Sequence, residues 1–248
     1  MRTPLLTAAT AAVTLALAGC SVLPQSPPPL PALPSAIPAH NAQAESSPAP
    51  PSATEVADGF SEEEHVAMRI RARTCDAFSV GTGFMLDEYT VVTNRHVVEG
   101  AQTITLTTYD GEQYEGTASV IADFADLALV TVDKPLEFAA TIGADEPEAG
   151  DLLDIVGYPL GGPLNTRTGP FLGQVPDSLV EGSDDVDRIK VQAEHGNSGS
   201  AVYDADGDVV GVLYATDEAG DSFAVTLASL NTFLADTSLH LPNDTTCN

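Results

Sequence analysis

Short runs of apolar and β-branched residues, separated by turn residues, recur along the chain after residue 60. Leu127–Val132 and Val209–Tyr214 have the pattern of core strands. Asp110-Gly111 and Asp206-Gly207 lie near such runs and are typical of hairpin turns. No long amphipathic helix pattern precedes the C-terminal region. The pattern therefore predicts an all-β fold.

The two ends of this β-rich region carry helix signals. In Phe60–Arg73, Ser61 and Glu64 have the spacing of a capping box, whereas the residues from Val66 onward alternate between apolar side chains and arginines. We predict a brief helical turn followed by a strand. At the other end, Ala228–Leu239 predicts a C-terminal helix.

The first 20 residues have the pattern of a lipoprotein signal peptide. Met1-Arg2 gives a positive start, residues 5–17 are largely apolar, and Leu17–Cys20 ends the run. Cleavage before Cys20 would leave it as the lipid-modified N-terminal residue. The alternative is an ordinary secretory signal with an accidental cysteine, and the run is too short for a transmembrane helix. We expect an extracytoplasmic protein of the cell envelope, attached to the membrane by this lipid.

Residues 21–59 contain ten of the chain's 18 prolines and show no apolar periodicity. Such a segment buries too little surface to offset the entropy of ordering, so it predicts a disordered Pro/Ala/Ser-rich tether. Residues 60–248 remain for one folded domain, which is long enough for two subdomain cores.

The charge balance limits the choice of partners. A formal net charge of −27 with nine basic residues excludes nucleic acid, because phosphate binding needs the opposite sign. The charge favours cationic peptides or simply solubility. We find no metal-ligand cluster, phosphate loop or dinucleotide fingerprint, and therefore expect neither a metal nor a cofactor.

The loop His195–Ser200 lies between two apolar runs with the pattern of strands. Glycines on both sides of Ser198 allow successive backbone N–H groups to face one concavity, which can hold an oxyanion. The serine is a candidate nucleophile. Because most Gly-Ser turns in β proteins are only turns, this interpretation needs a base and a carboxylate elsewhere in the chain.

His96 is the candidate base, because it lies where a buried strand pattern ends in polar residues and a turn begins. His195 precedes Ser198 by only three residues, too close on a tight loop to reach the serine oxygen, and is predicted to line the substrate entrance. Asp126 directly precedes a core strand and is the preferred carboxylate. The three side chains together predict nucleophilic catalysis.

Five motifs follow one another along the chain: Gly81–Phe84, Thr93–Val98, Asp126–Leu129, Gly157–Gly162 and Gly196–Ser200. With these motifs the chain resembles the trypsin-like serine proteases, in particular the HtrA-like branch and its envelope-tethered actinobacterial members of the MarP type. The resemblance covers about residues 66–236. The order His, Asp, Ser is that of the chymotrypsin fold.

The resemblance implies an architecture of two six-stranded antiparallel β-barrels, at about residues 66–140 and 150–236, followed by the C-terminal helix. It implies that Ser198 is the nucleophile, His96 the general base and then acid, and Asp126 the group that orients the imidazole. The backbone N–H groups of Gly196 and Ser198 would form the oxyanion hole. We expect a monomeric serine endopeptidase of extracytoplasmic proteins or peptides. The alternatives are an inactive trypsin-like binding lipoprotein and a zymogen that awaits a conformational trigger.

The substrate pocket is expected to be built from the segment before Ser198 and from the following strand. Gln192 occupies roughly the position of the aspartate of trypsin, which argues against a strict Lys/Arg preference, and we expect a small or medium apolar P1 residue. The expected pocket residues are Gln192, Ala193, His195, Leu213, Tyr214 and Ala215.

Cys75 and Cys247 are the cysteines that remain after Cys20 is assigned to lipidation. An oxidising location and an even remainder predict a disulfide bond between them. The alternative is two isolated thiols.

Overall fold

The first six strands form a closed antiparallel barrel in the computed structural model, which describes residues 58–177 and 184–247. The order around the sheet is β5-β4-β1-β2-β3-β6, and β6 pairs with β5 to close it. The strands are β1 (Ala67–Arg73), β2 (Phe78–Met85), β3 (Thr90–Thr93), β4 (Thr103–Thr107), β5 (Gln113–Ile121) and β6 (Ala128–Val132).

The next six strands form a second closed antiparallel barrel, in the order β10-β11-β12-β9-β8-β7, with β7 paired to β10. The strands are β7 (Leu152–Gly157), β8 (Asn165–Pro176), β9 (Asp185–Ile189), β10 (Ala201–Tyr203), β11 (Val209–Thr216) and β12 (Ser222–Thr226). The predicted all-β fold with two six-stranded barrels is thus confirmed.

Three short α-helices accompany the barrels within the described ranges: α1 (Glu62–Val66), α2 (Arg95–Val98) and α3 (Leu227–Ala235). Both halves of the predicted capping box are present, since the Ser61 hydroxyl accepts from Glu64 N–H and the Glu64 carboxylate accepts from Ser61 N–H. A helical turn and then a strand therefore follow one another as predicted.

The predicted C-terminal helix over residues 228–239 is too long. The α-helix stops at Ala235 because Asp236 has extended backbone angles and its carboxylate accepts a hydrogen bond from Ser238 N–H. Residues 237–239 form a 3-10 helix, and a final short strand, β13 (Leu241–Pro242), pairs with β5. The chain thus returns from the second barrel to the first.

The C-terminal tail is held to the first barrel by a disulfide bond between Cys75 and Cys247. The Asn243 side chain adds three hydrogen bonds: its amide donates to the Val98 carbonyl (2.7 Å) and to the Ser119 hydroxyl (2.9 Å), and its oxygen accepts from Gly100 N–H (2.8 Å). The tail therefore holds the end of α2 in place.

The predicted signal peptide at residues 1–20, including Cys20, and most of the predicted tether lie outside the described residues. Among the residues that are described, none of the helices has the length and apolarity needed to cross a bilayer.

The core of the second barrel contains an ionisable side chain. Asp187 on β9 is 2% exposed, and its Oδ1 has no hydrogen-bond partner in the described part of the chain. Burial, with a smaller contribution from the negative charge of Glu146, raises the pKa of this carboxyl to about 7. The folded protein therefore holds a proton on Asp187 at pH values where the unfolded chain has released it.

This proton makes stability depend on pH. Because the pKa is raised on folding, the contribution is fully present below about pH 4 and is lost as pH rises towards 7. We expect Asp187→Asn to match the wild type in free energy of unfolding near pH 4, and to exceed it by on the order of 2–4 kcal/mol at pH 8. Urea unfolding at both pH values measures this difference. A difference that does not change between them would contradict the interpretation.

Candidate active site

The loop that carries Ser198 lies between β9 and β10 and depends on two glycines with positive φ. Gly196 has φ +94° and Gly199 has φ +87°, which is the left-handed region. A Cβ on Gly199 would lie 2.0 Å from the Thr82 carbonyl oxygen, and one on Gly196 would lie 2.6 Å from the Tyr158 carbonyl oxygen. Both positions therefore require glycine, for conformation and for space.

Thr82 on β2 attaches this loop of the second barrel to the first barrel. Its N–H donates to the Ser198 carbonyl and its hydroxyl to the Gly196 carbonyl, both at 2.7 Å, and Thr93 Oγ1 donates to the Thr82 carbonyl at 2.6 Å. No local sequence pattern predicted a role for Thr82. Its signal was a polar residue between the two glycines of the Gly81–Phe84 motif.

His96 and Asp126 are paired at the entrance of the same site. Asp126 Oδ2 accepts from His96 Nδ1 at 2.5 Å, and Oδ1 accepts from the backbone N–H of His96 at 2.9 Å. Asn94 holds the segment of the aspartate, since its amide donates to the Asp126 carbonyl at 2.8 Å. Only 11% of the Asp126 side chain is exposed. With the Nδ1 proton directed at a carboxylate, Nε2 is the basic nitrogen of His96.

A cleft of about 650 Å³ brings His96 and Ser198 together. Their side chains make no hydrogen bond with each other, and the two come from opposite barrels. Catalytic hydrogen bonds of this kind commonly form only when substrate closes the site. The predicted pocket residues that line the cleft are Ala193, His195, Leu213, Tyr214 and Ala215.

Gln192, which was also predicted for the pocket, is not among the residues that line this cleft. The N–H of Ala193 donates to the Ser222 hydroxyl at 3.2 Å, which holds Ala193 in the cleft wall. The side chain of Gln192 is exposed and lies beside Gly220. Thr216, Glu194 and Leu160 complete the lining. Leu160, which is 73% exposed and lies in the Gly157–Gly162 motif, was not among the predicted pocket residues.

The peptide between His195 and Gly196 is oriented by Leu160. The N–H of Leu160 donates to the His195 carbonyl at 2.5 Å, and Leu160 itself has φ +56°, an uncommon angle for a leucine. Because the peptide is trans, the N–H of Gly196 points away from Leu160. Neither this N–H nor that of Ser198 donates a hydrogen bond to any described residue. Two unpaired donors beside a serine can bind an oxyanion.

Charged and polar side chains form part of the cleft wall. Glu194 at the rim is paired with Arg167 at 3.0 Å. Tyr214 donates to Asp177 Oδ1 at 2.9 Å, and burial, together with this carboxylate, raises the pKa of the Tyr214 phenol. Over the described residues, no group of three or more His, Cys, Asp or Glu side chains is arranged to hold a metal ion.

Residues 81–212, more than half of the chain, match the family model of the trypsin-like peptidase domain. The sequence is 32% identical over 178 residues to serine protease Rv3671c of Mycobacterium tuberculosis, covering 65% of this chain and 43% of that protein. It is 31% identical over 169 residues to serine protease HTR4 of Rattus norvegicus, covering 64% of this chain and 34% of that protein. The chain thus matches less than half the length of these relatives.

The fold is also similar to a solved structure. The crystal structure of the Rv3671c protease in its active form superposes with a TM-score of 0.66 at 26% sequence identity, covering 73% of this chain and 84% of that one.

Proposed function

Because the chain belongs to the trypsin-like peptidase family, we propose that it is a serine endopeptidase that cleaves peptide bonds through an acyl-enzyme intermediate. The observation that carries this proposal is the pairing of His96 Nδ1 with Asp126 at the mouth of a cleft that also contains Ser198. Both relatives described above are named as serine proteases, which supports the proposal.

In the proposed mechanism, Ser198 Oγ attacks the scissile carbonyl carbon and His96 Nε2 takes up its proton. Asp126 keeps the proton of the imidazole on Nδ1 and stabilises the imidazolium that forms. His96 then protonates the leaving amine, and a water molecule repeats the sequence to release the acid. Catalysis of this kind requires no metal or organic cofactor.

The N–H groups of Gly196 and Ser198 would stabilise the negative oxygen of the tetrahedral intermediate. Neither N–H has a hydrogen-bond partner among the described residues, which supports this role. The hydrogen bond from Leu160 also supports it, because it turns the preceding carbonyl away. One such donor is worth about 3 kcal/mol in the transition state.

We propose that the pocket accepts a small or medium apolar P1 side chain. Ala193, Leu213 and Ala215 supply apolar surface. Glu194 is the carboxylate in the lining of the cleft. It is paired with Arg167 and therefore attracts a positively charged substrate side chain only weakly.

We further propose that the enzyme acts outside the cytoplasm, attached to the membrane through a lipid on Cys20. The N-terminal pattern and the disulfide bond support an oxidising compartment. Cys20→Ala should move the full-length chain from the membrane fraction to the soluble fraction of the producing cell. Unchanged membrane association of this variant would argue against the anchor.

A fluorophosphonate probe tests the enzymatic proposal, since it reacts with activated serines and spares ordinary ones. We expect labelling of the wild type at Ser198 and none in Ser198→Ala. Ser200→Ala is a matched control, because this serine lies in the same loop but is fully buried. Absence of labelling in the wild type under every condition would favour an inactive binding protein.

A further inference from the structure

The arginines of β1 differ from every other basic residue that the structure describes. Outside β1, each lysine and arginine of residues 58–177 and 184–247 pairs with a carboxylate. Arg69, Arg71 and Arg73 form no ion pair with any described residue. In a chain with 36 acidic and nine basic residues, three successive outward positions with unpaired arginines form a local exception to the overall charge.

Two of these arginines share a surface with exposed apolar side chains of β2. Arg71 is paired across the sheet with Val80, and Arg73 with Phe78, so each pair lies on one face. Phe78 is 81% exposed and Val80 is 41% exposed, and the Arg73 guanidinium lies 5.9 Å from the centre of the Phe78 ring. We call Arg71, Arg73, Phe78 and Val80 the arginine strip.

The arginine strip is continuous with the active-site cleft. Thr82, two residues beyond Val80 on β2, donates to the Ser198 carbonyl. Val80 contacts the turn at Gly161, where a Cβ would lie 2.7 Å from its Cγ1, and the neighbouring Leu160 lines the cleft. Arg69 joins the two, since its Nη1 donates to the Gly161 carbonyl at 3.3 Å.

The strip lies where the substrate residues that follow the scissile bond are expected to run. The residues before the scissile bond would occupy the pocket of Ala193 and Leu213–Thr216, so the residues after it leave Ser198 on the Leu160 side. Along β2, Val80 and Phe78 lie roughly 7 and 13 Å from Thr82 at about 3.3 Å per residue. An extended peptide covers this distance with about two to four residues.

We propose that the arginine strip binds the substrate segment that follows the scissile bond and selects an apolar residue followed by aspartate or glutamate. This proposal rests on the proposed endopeptidase function. Leu160 and Val80 supply the apolar contact, and Arg71 and Arg73 supply the charge. The strong negative charge of the chain disfavours acidic segments elsewhere on the surface, so the strip determines where and in which direction such a segment lies.

Matched quenched peptides test this selectivity. The peptides are identical up to the scissile bond and continue with Phe followed by Glu-Glu, Gln-Gln or Lys-Lys. With the full-length chain at low salt, we expect kcat/KM for the Glu peptide to exceed that for the Gln peptide by about 5- to 10-fold, as expected for two exposed charge pairs. The Lys peptide is expected to be the slowest. The preference weakens in 0.5 M salt, because the charges are screened.

The variant Arg71→Gln/Arg73→Gln should cleave the Glu and Gln peptides at rates that agree to within about twofold. Lys134→Gln is the matched control, because it removes a cation that is already paired with Glu112. We expect it to keep the preference. Equal cleavage of the Glu and Gln peptides by the wild type, or a preference that survives in the double variant, would overturn the proposal.

Binding of the same peptides to the Ser198→Ala chain, measured by fluorescence anisotropy, separates this proposal from the catalytic one. If the wild type is neither labelled by the fluorophosphonate nor able to cleave any of the peptides, the endopeptidase function is ruled out, and the assignment of the strip is ruled out with it. Labelling with no difference between the Glu and Gln peptides would overturn the strip alone. Retention on phosphatidylglycerol vesicles that depends on Arg71 and Arg73, without peptide selectivity, would assign the strip to a membrane surface instead.

Discussion

Ser198→Ala is expected to lower kcat/KM for any cleaved peptide by about 10⁴-fold or more. The alanine removes the attacking oxygen, so no acyl-enzyme forms and His96 has no proton to accept. The unpaired N–H groups of Gly196 and Ser198 remain in place, which leaves a small residual rate from oxyanion binding alone. Initial rates with the peptides described above measure the loss, and unchanged KM or peptide binding shows that the cleft is intact.

His96→Ala should show a loss of similar size, and the double variant with Ser198→Ala should lose little more. The two residues act on the same proton, so their effects do not add. Ser200→Ala controls for disturbance of the loop, since the buried Ser200 hydroxyl makes no hydrogen bond to any residue that the structure describes. Losses that multiply in the double variant, or a Ser198→Ala chain that retains most of the wild-type rate, would show that the two side chains do not work as a unit.

Local sequence patterns were sufficient to predict much of the fold. Alternation from Val66 to Arg73 predicted a strand with Met68 and Ile70 inside, and both side chains are fully buried in the first barrel. The capping box of Ser61 and Glu64 is equally local, because its hydrogen bonds join residues three apart. The number of strands and their closure into barrels required the resemblance to a known family, since strand pairing is non-local.

The features that sequence patterns did not predict all depend on contacts between distant segments. Thr82 acts through carbonyls more than 110 residues away on the nucleophile loop, which no local pattern can show. Gln192 lies beside Gly220, a residue 28 positions further along the chain, and not in the lining of the cleft. The early end of α3 arises from Asp236, whose side chain captures a backbone N–H that a longer helix would use differently.

Loss of the Cys75–Cys247 disulfide bond is expected to produce the largest change in stability. The bond joins residues 172 positions apart, and closing a loop of this length is worth roughly 5 kcal/mol in the chain-entropy model. We expect Cys75→Ala/Cys247→Ala to lower the free energy of unfolding by about 3–5 kcal/mol and Tm by about 10 °C or more. Urea unfolding and calorimetry of the wild type and the double variant measure both quantities.

This loss should also affect the active site, because the same tail carries Asn243. Its side chain holds the Val98 carbonyl and Gly100 N–H, directly after the helix that bears His96. A freed tail spends less time in this position, so we expect reduced wild type and the double variant to show the same lowered stability and several-fold lower kcat/KM. Reductant should leave the double variant unchanged, which controls for effects on the assay. A double variant as stable as the oxidised wild type would mean that β13 and Asn243 hold the tail without the disulfide bond, and that the loop-closure argument does not apply to this chain.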